Sequence, residues 1–218
     1  LYRGPSAAEL ADHLLADSCF HLANRSSGGL LFHAGVVALN GCGVLLPGTM
    51  GAGKTTLTAW LVSQNFNYLS DEMGYLPAGS ATVHGLGRPL SIKRPSRPVL
   101  QPWLNFSEPS PHRLTAAQVD LVQPALLRSD NRFDPAPLRL ILFPRYRAGS
   151  SLNLRPLSKA QAGKALMECL INARNLPGHG FAQITRLARQ VPAFQLTYSH
   201  FRQLENSIPA LFESQSCP

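Results

Sequence analysis

Acidic side chains are scarce in this chain: 12 Asp and Glu stand against 20 Lys and Arg, for a formal charge of +8 over 218 residues. Such an excess suits anionic partners, a nucleotide or an acidic peptide among them. Nucleic acid would suit the charge as well, but no basic run and no RNA-binding aromatic signature accompanies it, which argues against that class. Cysteine is equally sparse. Cys19, Cys42, Cys169 and Cys217 show no C-x-x-C spacing, so neither a zinc site nor a disulfide framework is indicated. No long hydrophobic run occurs: the longest apolar stretch is broken by His33, Asn40 and glycines, and nothing at the start reads as a signal peptide, so no membrane span is expected and the cytoplasm is the expected location. The chain opens on Leu1 rather than methionine, which leaves room for an upstream segment. With 44% hydrophobic residues it can bury one core. One domain over 1–218 is expected: a helical segment at 1–28, a core at 29–200, and a helix with a tail at 201–218.

What is present is a phosphate-loop pattern. Gly48-Thr49-Met50-Gly51-Ala52-Gly53-Lys54-Thr55 satisfies G-x-x-x-x-G-K-[ST] in full, follows the apolar run Val44-Leu45-Leu46, and continues through Thr56 into a helix predicted over 55–64. The loop glycines let backbone N–H groups turn inward around phosphates, Lys54 can reach the outer phosphate oxygens, and the Thr55 hydroxyl can complete a Mg²⁺ shell. The helix start adds its unsatisfied N–H groups and the positive end of its dipole. Nucleoside triphosphate binding follows. A mere glycine-rich turn is the competing reading, and the strand before and helix after the loop weigh against it.

Two β-prone runs, 30–39 and 44–46, flank Asn40-Gly41-Cys42-Gly43, and Asn-Gly is a strong hairpin signal. An antiparallel hairpin feeding the loop differs from the isolated first strand of GTPases and small-metabolite kinases. After the helix, a short strand at 66–69 ends in Ser70-Asp71-Glu72. Phosphoryl transfer uses a metal ligand and a proton acceptor, and two adjacent carboxylates one strand from the loop can fill both roles. A solvated turn is the alternative for the pair.

These residues resemble the HPr kinase/phosphorylase group, whose catalytic fold is shared with phosphoenolpyruvate carboxykinase. A histidine-bearing strand, here with His33, leads through a hairpin to the phosphate loop, and an acidic pair follows. The strings Phe32-His33-Ala34, Tyr68-Leu69-Ser70-Asp71-Glu72, Arg88-Pro89-Leu90-Ser91-Ile92-Lys93, Phe143-Pro144-Arg145-Tyr146 and Val191–Tyr198 are similar to HPr-kinase-related proteins of peptide-modification clusters, including lasso-peptide kinases, over about residues 30 to 200. The resemblance implies an α/β phosphate-loop fold with a mixed sheet and flanking helices, and ATP with Mg²⁺ as cofactors. It implies Asp71 as general base, Thr55 and Glu72 as Mg²⁺ ligands, Lys54 as γ-phosphate clamp and His33 beside the reacting phosphate. Two departures stand out: Glu72 replaces the group's second aspartate, and Met50 occupies a loop position usually small or polar. The group's phosphorylase signature has only a faint counterpart at His84–Arg88, so reverse phosphorolysis is not implied.

Elsewhere the sequence describes scaffold. Residues 8–24 carry Leu10, Leu14, Leu15 and Leu22 at helical spacing, which predicts a stripe packed on the core. Ser158 and Gln161 form a capping box for a packing helix. Residues 138–143 read as a strand ended by Pro144 and 193–198 as another; 181–190 and 200–212 read as helices, the last strained by Pro209. Six prolines between Arg88 and Arg113, with Lys93, Arg94 and Arg97 among them, predict a long ordered excursion or a substrate loop. Arg145 and Arg147 follow a strand end, where Arg145 is a candidate for an internal arginine finger and surface pairing is the alternative.

The expected function is ATP- and Mg²⁺-dependent phosphorylation of a hydroxyl, foremost serine in a peptide or protein. A noncatalytic ATP-binding accessory protein of peptide maturation and a small-metabolite kinase are the other readings. Assembly with a second copy is compatible with all three.

Overall fold

A computed structural model describes residues 6–213. In chain order the elements are α1 (Ala7–Arg25), β1 (Gly29–Leu39), β2 (Cys42–Pro47), α2 (Lys54–Ser63), β3 (Asn67–Ser70), β4 (Met73–Pro77), β5 (Thr82–Gly85) and β6 (Leu90–Lys93). There follow α3 (Arg97–Leu100), β7 (Arg113–Thr115), β8 (Val119–Val122), β9 (Ala136–Tyr146), β10 (Asn153–Pro156), α4 (Lys159–Cys169), α5 (Phe181–Gln190), β11 (Ala193–Tyr198) and α6 (Ser207–Glu213). The fold is a mixed α/β architecture, a central mixed sheet with helices on its faces.

The sheet begins at the predicted hairpin. Leu39 pairs with Cys42, and the two residues between, Asn40 at φ 50° and Gly41 at φ 76°, both take the left-handed conformation that a two-residue hairpin turn requires. The order is β10-β11-β9-β2-β1-β4-β5, with β3 also on β1. β2, β9 and β11 run parallel, so their carboxyl ends meet at one edge, where ligands of such sheets usually sit. The ring closes on itself because β5 pairs with both β4 and the start of β9.

Strand alternation sorts the core into two layers. Phe32, Ala34, Ile141 and Phe143 pack under α4 and α5 against Ala162, Leu166, Ile184 and Leu187. Val37, Leu46, Leu140, Leu142 and Leu196 pack on the other face against Leu57, Trp60 and Leu61 of α2. At roughly 1.5–3 kcal/mol for each fully buried large aliphatic or aromatic side chain, both faces are needed to hold the parallel strands. The capping box at Ser158 forms as expected and starts α4.

Several expectations need correction. Leu10, Leu14 and Leu22 of α1 are exposed, and the residues that α1 buries are Ala8 and Cys19. β9 runs through Pro144 to Tyr146: beyond Ile141 it pairs with β11 alone, an edge on which a missing N–H is tolerated. The proline-rich excursion is ordered as the small sheet β6-β8-β7, with Arg97 bidentate on the buried Asp120. The C-terminal helix is shorter than expected, with a 3₁₀ turn at Phe201–Gln203 before α6, and Pro209 falls in the first turn of α6, where its ring does no damage. Cys42 is disulfide-bonded, whereas Cys19 and Cys169 are free and buried. Among the described residues no helix is long and apolar enough to cross a membrane.

Candidate active site

β2 ends at Pro47, and the loop that follows needs glycine where the chain turns hardest. Gly51 (φ 85°) and Gly53 (φ 92°) adopt the left-handed region, and a Cβ on Gly53 would also stand 3.2 Å from Tyr198 Oη and 3.3 Å from Tyr146 Cβ. The loop leads straight into the first turn of α2. Lys54, 6% exposed, folds back so that its Nζ donates to the carbonyls of Gly48 (2.8 Å) and Thr49 (3.0 Å). Burial pulls its pKa below the ordinary lysine value, and the negative charge of Glu72 opposes that pull. Met50 is 80% exposed and lines the rim of the cleft around Lys54.

The acidic pair divides. Ser70 Oγ accepts from the backbone N–H groups of Glu72 (3.3 Å) and Met73 (3.1 Å), turning the chain between β3 and β4. The neighbours Asp71 and Glu72 then differ in exposure, Asp71 wholly buried and Glu72 about one third exposed. Glu72 faces the loop, and its Oε1 lies 3.1 Å from His33 Nδ1. Burial would raise its pKa, but the hydrogen bond from His33, with the charges of His33, Arg88 and Lys54, holds it below the usual carboxylate range. Asp71 is completely buried: its Oδ2 accepts from Ser91 N (2.8 Å) and its Oδ1 from Tyr68 Oη (3.2 Å). Burial raises its pKa despite the nearby Arg88 guanidinium and the bond from Ser91. Asp71 therefore has no exposed surface here: its carboxylate ties the end of β3 to Ser91 of β6, and Ser91 itself lines the cleft around Lys54.

One cleft of about 200 Å³ gathers His33, Lys54, Thr55, Thr56, Glu72 and Lys93 around the loop. Lys93, one of the basic residues of the proline-rich stretch that could approach phosphates or an acidic acceptor, lines this cleft. Thr56 Oγ1 and Ser96 Oγ, 2.9 Å apart, join α2 to the segment after β6 and form the cleft's far wall. Among the described residues no cluster of three or more His, Cys, Asp or Glu could hold a metal alone. A Mg²⁺ ion shared with phosphates needs only one or two protein oxygens, and Thr55 and Glu72 supply hard oxygen donors within the same cleft.

Arg145 is not brought to this cleft. On β9, Ile141 and Phe143 face α4 and α5, and Arg145 continues that row; Leu140 and Leu142 face α2, and Tyr146 continues theirs. By this period of two Arg145 falls on the α4 and α5 face, and it does not line the cleft. The residue that does reach the loop is Tyr146, whose backbone N–H donates to Ala52 O (3.2 Å). It lines an adjoining cavity of about 260 Å³ with Gly51, Gly53, Thr56, Val99 and His200. Beneath it Tyr198 meets Tyr146 edge-on at 6.1 Å, Phe201 stacks on Tyr198 at 6.1 Å, and Trp60 stacks on Phe201 at 5.0 Å. Tyr146 keeps an exposed ring face at the end of this ladder, being 49% exposed. Neither tyrosine was singled out as a site residue, because only the fold joins the ends of β9 and β11.

Sheet and loop together define a mixed α/β protein with a strand, glycine loop and helix start as its site. No family model matches the chain, and no curated protein matches it. Among solved structures it is similar to the HPr(Ser) kinase/phosphatase from Coxiella burnetii, over 85% of this chain and 87% of that one, at 11% identity and a TM-score of 0.37.

Proposed function

We propose that the chain is an ATP- and Mg²⁺-dependent kinase of the HPr-kinase type that transfers the γ-phosphate to a hydroxyl, foremost a serine of a peptide or protein. The observation that carries this reading is the single cleft shared by Lys54, Thr55, Glu72 and His33. On nucleotide binding Lys54 exchanges its two loop carbonyls for phosphate oxygens, and the loop N–H groups at the start of α2 take the remainder. The nucleoside lies toward Thr56 and the free face of Tyr146. Thr55 and Glu72 would hold Mg²⁺, which would supply neutralisation of the phosphate charge. Because Glu72 holds His33 by Nδ1, the other ring nitrogen is left to accept a proton. The acceptor O–H gives its proton to His33 Nε2 as its oxygen bonds to the γ-phosphorus, and the bond to the β–γ bridging oxygen breaks to release ADP. Lys93 and the overall positive charge favour an acidic acceptor. The test is incubation with γ-labelled ATP, serine peptides and small hydroxylated metabolites, read by mass spectrometry. Phosphoserine supports the reading; a phosphorylated metabolite alone shifts the acceptor class. ATP binding without any product would make the chain an accessory protein.

A further inference from the structure

A cavity unused by this chemistry lies at the opposite end of β9. A cavity of about 410 Å³ opens between the β4–β5 turn, the start of β9 and α5. β9 bulges here: Gly43 pairs with Leu138 and Val44 with Leu140, so Arg139 is an extra residue. A bulge re-aims side chains that strict alternation would send to opposite faces, and both Leu138 and Arg139 line the cavity. Gln183, Arg186 and Leu187 of α5 face them. Arg139 Nε and Gln183 Oε1 are shut off from solvent and have no hydrogen-bond partner among the described residues. No Asp or Glu lines the cavity, and among the described residues no ion pair engages Arg139 or Arg186. Guanidinium groups and amide oxygens withdrawn from water are ordinarily answered by a partner. Here a cationic donor and a neutral acceptor face each other across apolar surface from Leu30, Leu138 and Leu187.

We propose that this cavity binds a small organic anion. Its carboxylate or phosphate meets Arg139 within and Arg186 at the mouth, a hydroxyl or N–H donates to Gln183, and a short apolar body lies on the leucines. The site is distinct from the cleft, since β9 from Arg139 to Tyr146 spans about 23 Å at ~3.3 Å per residue. Failure of this proposal leaves the proposed kinase chemistry untouched.

The test is calorimetric titration of the full chain carrying Lys54→Ala, so that the glycine loop does not compete, with inorganic phosphate, 2-hydroxy-4-methylpentanoate and the neutral amide of that acid. Saturable binding of phosphate or of the hydroxy acid, with none of the amide, is expected, and the anion that binds identifies the head group. Adding Arg139→Gln should weaken binding at least tenfold. Should that variant fail to fold, Arg186→Gln and Gln183→Leu, both on a surface helix, must each weaken binding. No saturable binding of either anion, equal binding of the amide, or affinity unchanged in the folded variants would overturn the proposal.

Discussion

Replacing Asp71 distinguishes a buried tie from a catalytic base. In Asp71→Ala the Ser91 N–H loses its 2.8 Å acceptor, Tyr68 Oη keeps only the Arg88 carbonyl, and the Arg88 guanidinium, 7% exposed, loses a nearby negative charge. An unpaired buried donor costs about 1–3 kcal/mol, and a buried charge stripped of its partner up to about 3–5 kcal/mol. Because burial itself disfavours the Asp71 carboxylate, part of that cost is already present in the wild type, and a net loss of about 3–4 kcal/mol is expected. Against a total of roughly 5–15 kcal/mol, with a urea slope near 1–3 kcal/mol per molar, the midpoint should fall by at least about 1 M. Asp71→Asn keeps an oxygen for Ser91 and should lose about half as much. A raised folded pKa contributes stability below the ordinary aspartate value, near 3.9, that is lost as pH rises through the folded value. The gap between wild type and Asp71→Asn should therefore narrow from pH 4 upward. Urea melts at several pH values, with phosphate transfer measured on the same samples, check this. An Asp71→Ala midpoint equal to wild type refutes the tie. A fully stable Asp71→Asn that loses transfer a hundredfold restores it as the base.

Glu72→Gln removes the carboxylate that orients His33, and transfer should drop about 10²- to 10⁴-fold in a single-turnover assay. The depressed pKa of Glu72 stabilises the fold above the ordinary glutamate value, near 4.3, and that contribution is lost as pH falls through the folded value. Melts of wild type and Glu72→Gln should thus converge below that window, and a gap constant with pH would contradict the shift. Tyr146→Ala should weaken nucleotide binding about 2- to 12-fold, the worth of one ring contact at 0.5–1.5 kcal/mol, with Tyr146→Phe near wild type; equal affinity of all three in a calorimetric titration removes the nucleoside from that cavity. Arg145→Ala should turn over at nearly the wild-type rate, because its row faces α4 and α5; a loss approaching the 10³-fold of an arginine finger would show that it reaches the phosphates.

The glycine loop, its helix and the hairpin before it were legible because each depends on local chemistry. Asn40-Gly41 can take two left-handed residues, Gly53 can pass beneath Tyr146, and Lys54 follows at once. The resemblance set His33 and Glu72 each beside the phosphates but did not pair them; β1, long enough to pair with β2, β3 and β4, brings them within 3.1 Å. What escaped was phase. The resemblance gave the adjacent carboxylates different roles but not their different burial, which the Ser70 turn sets, and Arg145 and Tyr146 could not be told apart without knowing which face of β9 meets α2. The leucines of α1 had the right period but no partner face. The Arg139 cavity depends on a bulge and on the β5–β9 closure, pairings between residues too distant in sequence for any local pattern to announce.

The central claim, that the cleft around Lys54 receives a triphosphate, is tested most directly by calorimetric titration of Mg²⁺-ATP into wild type and Lys54→Ala. Saturable binding by the wild type is predicted. Losing one or two charge-assisted hydrogen bonds worth about 1.5–3 kcal/mol in total predicts affinity weakened about 10- to 150-fold in the variant, with an unchanged urea midpoint showing that the fold survives. Absence of saturable binding by the wild type, or equal affinity in the variant, would contradict the account.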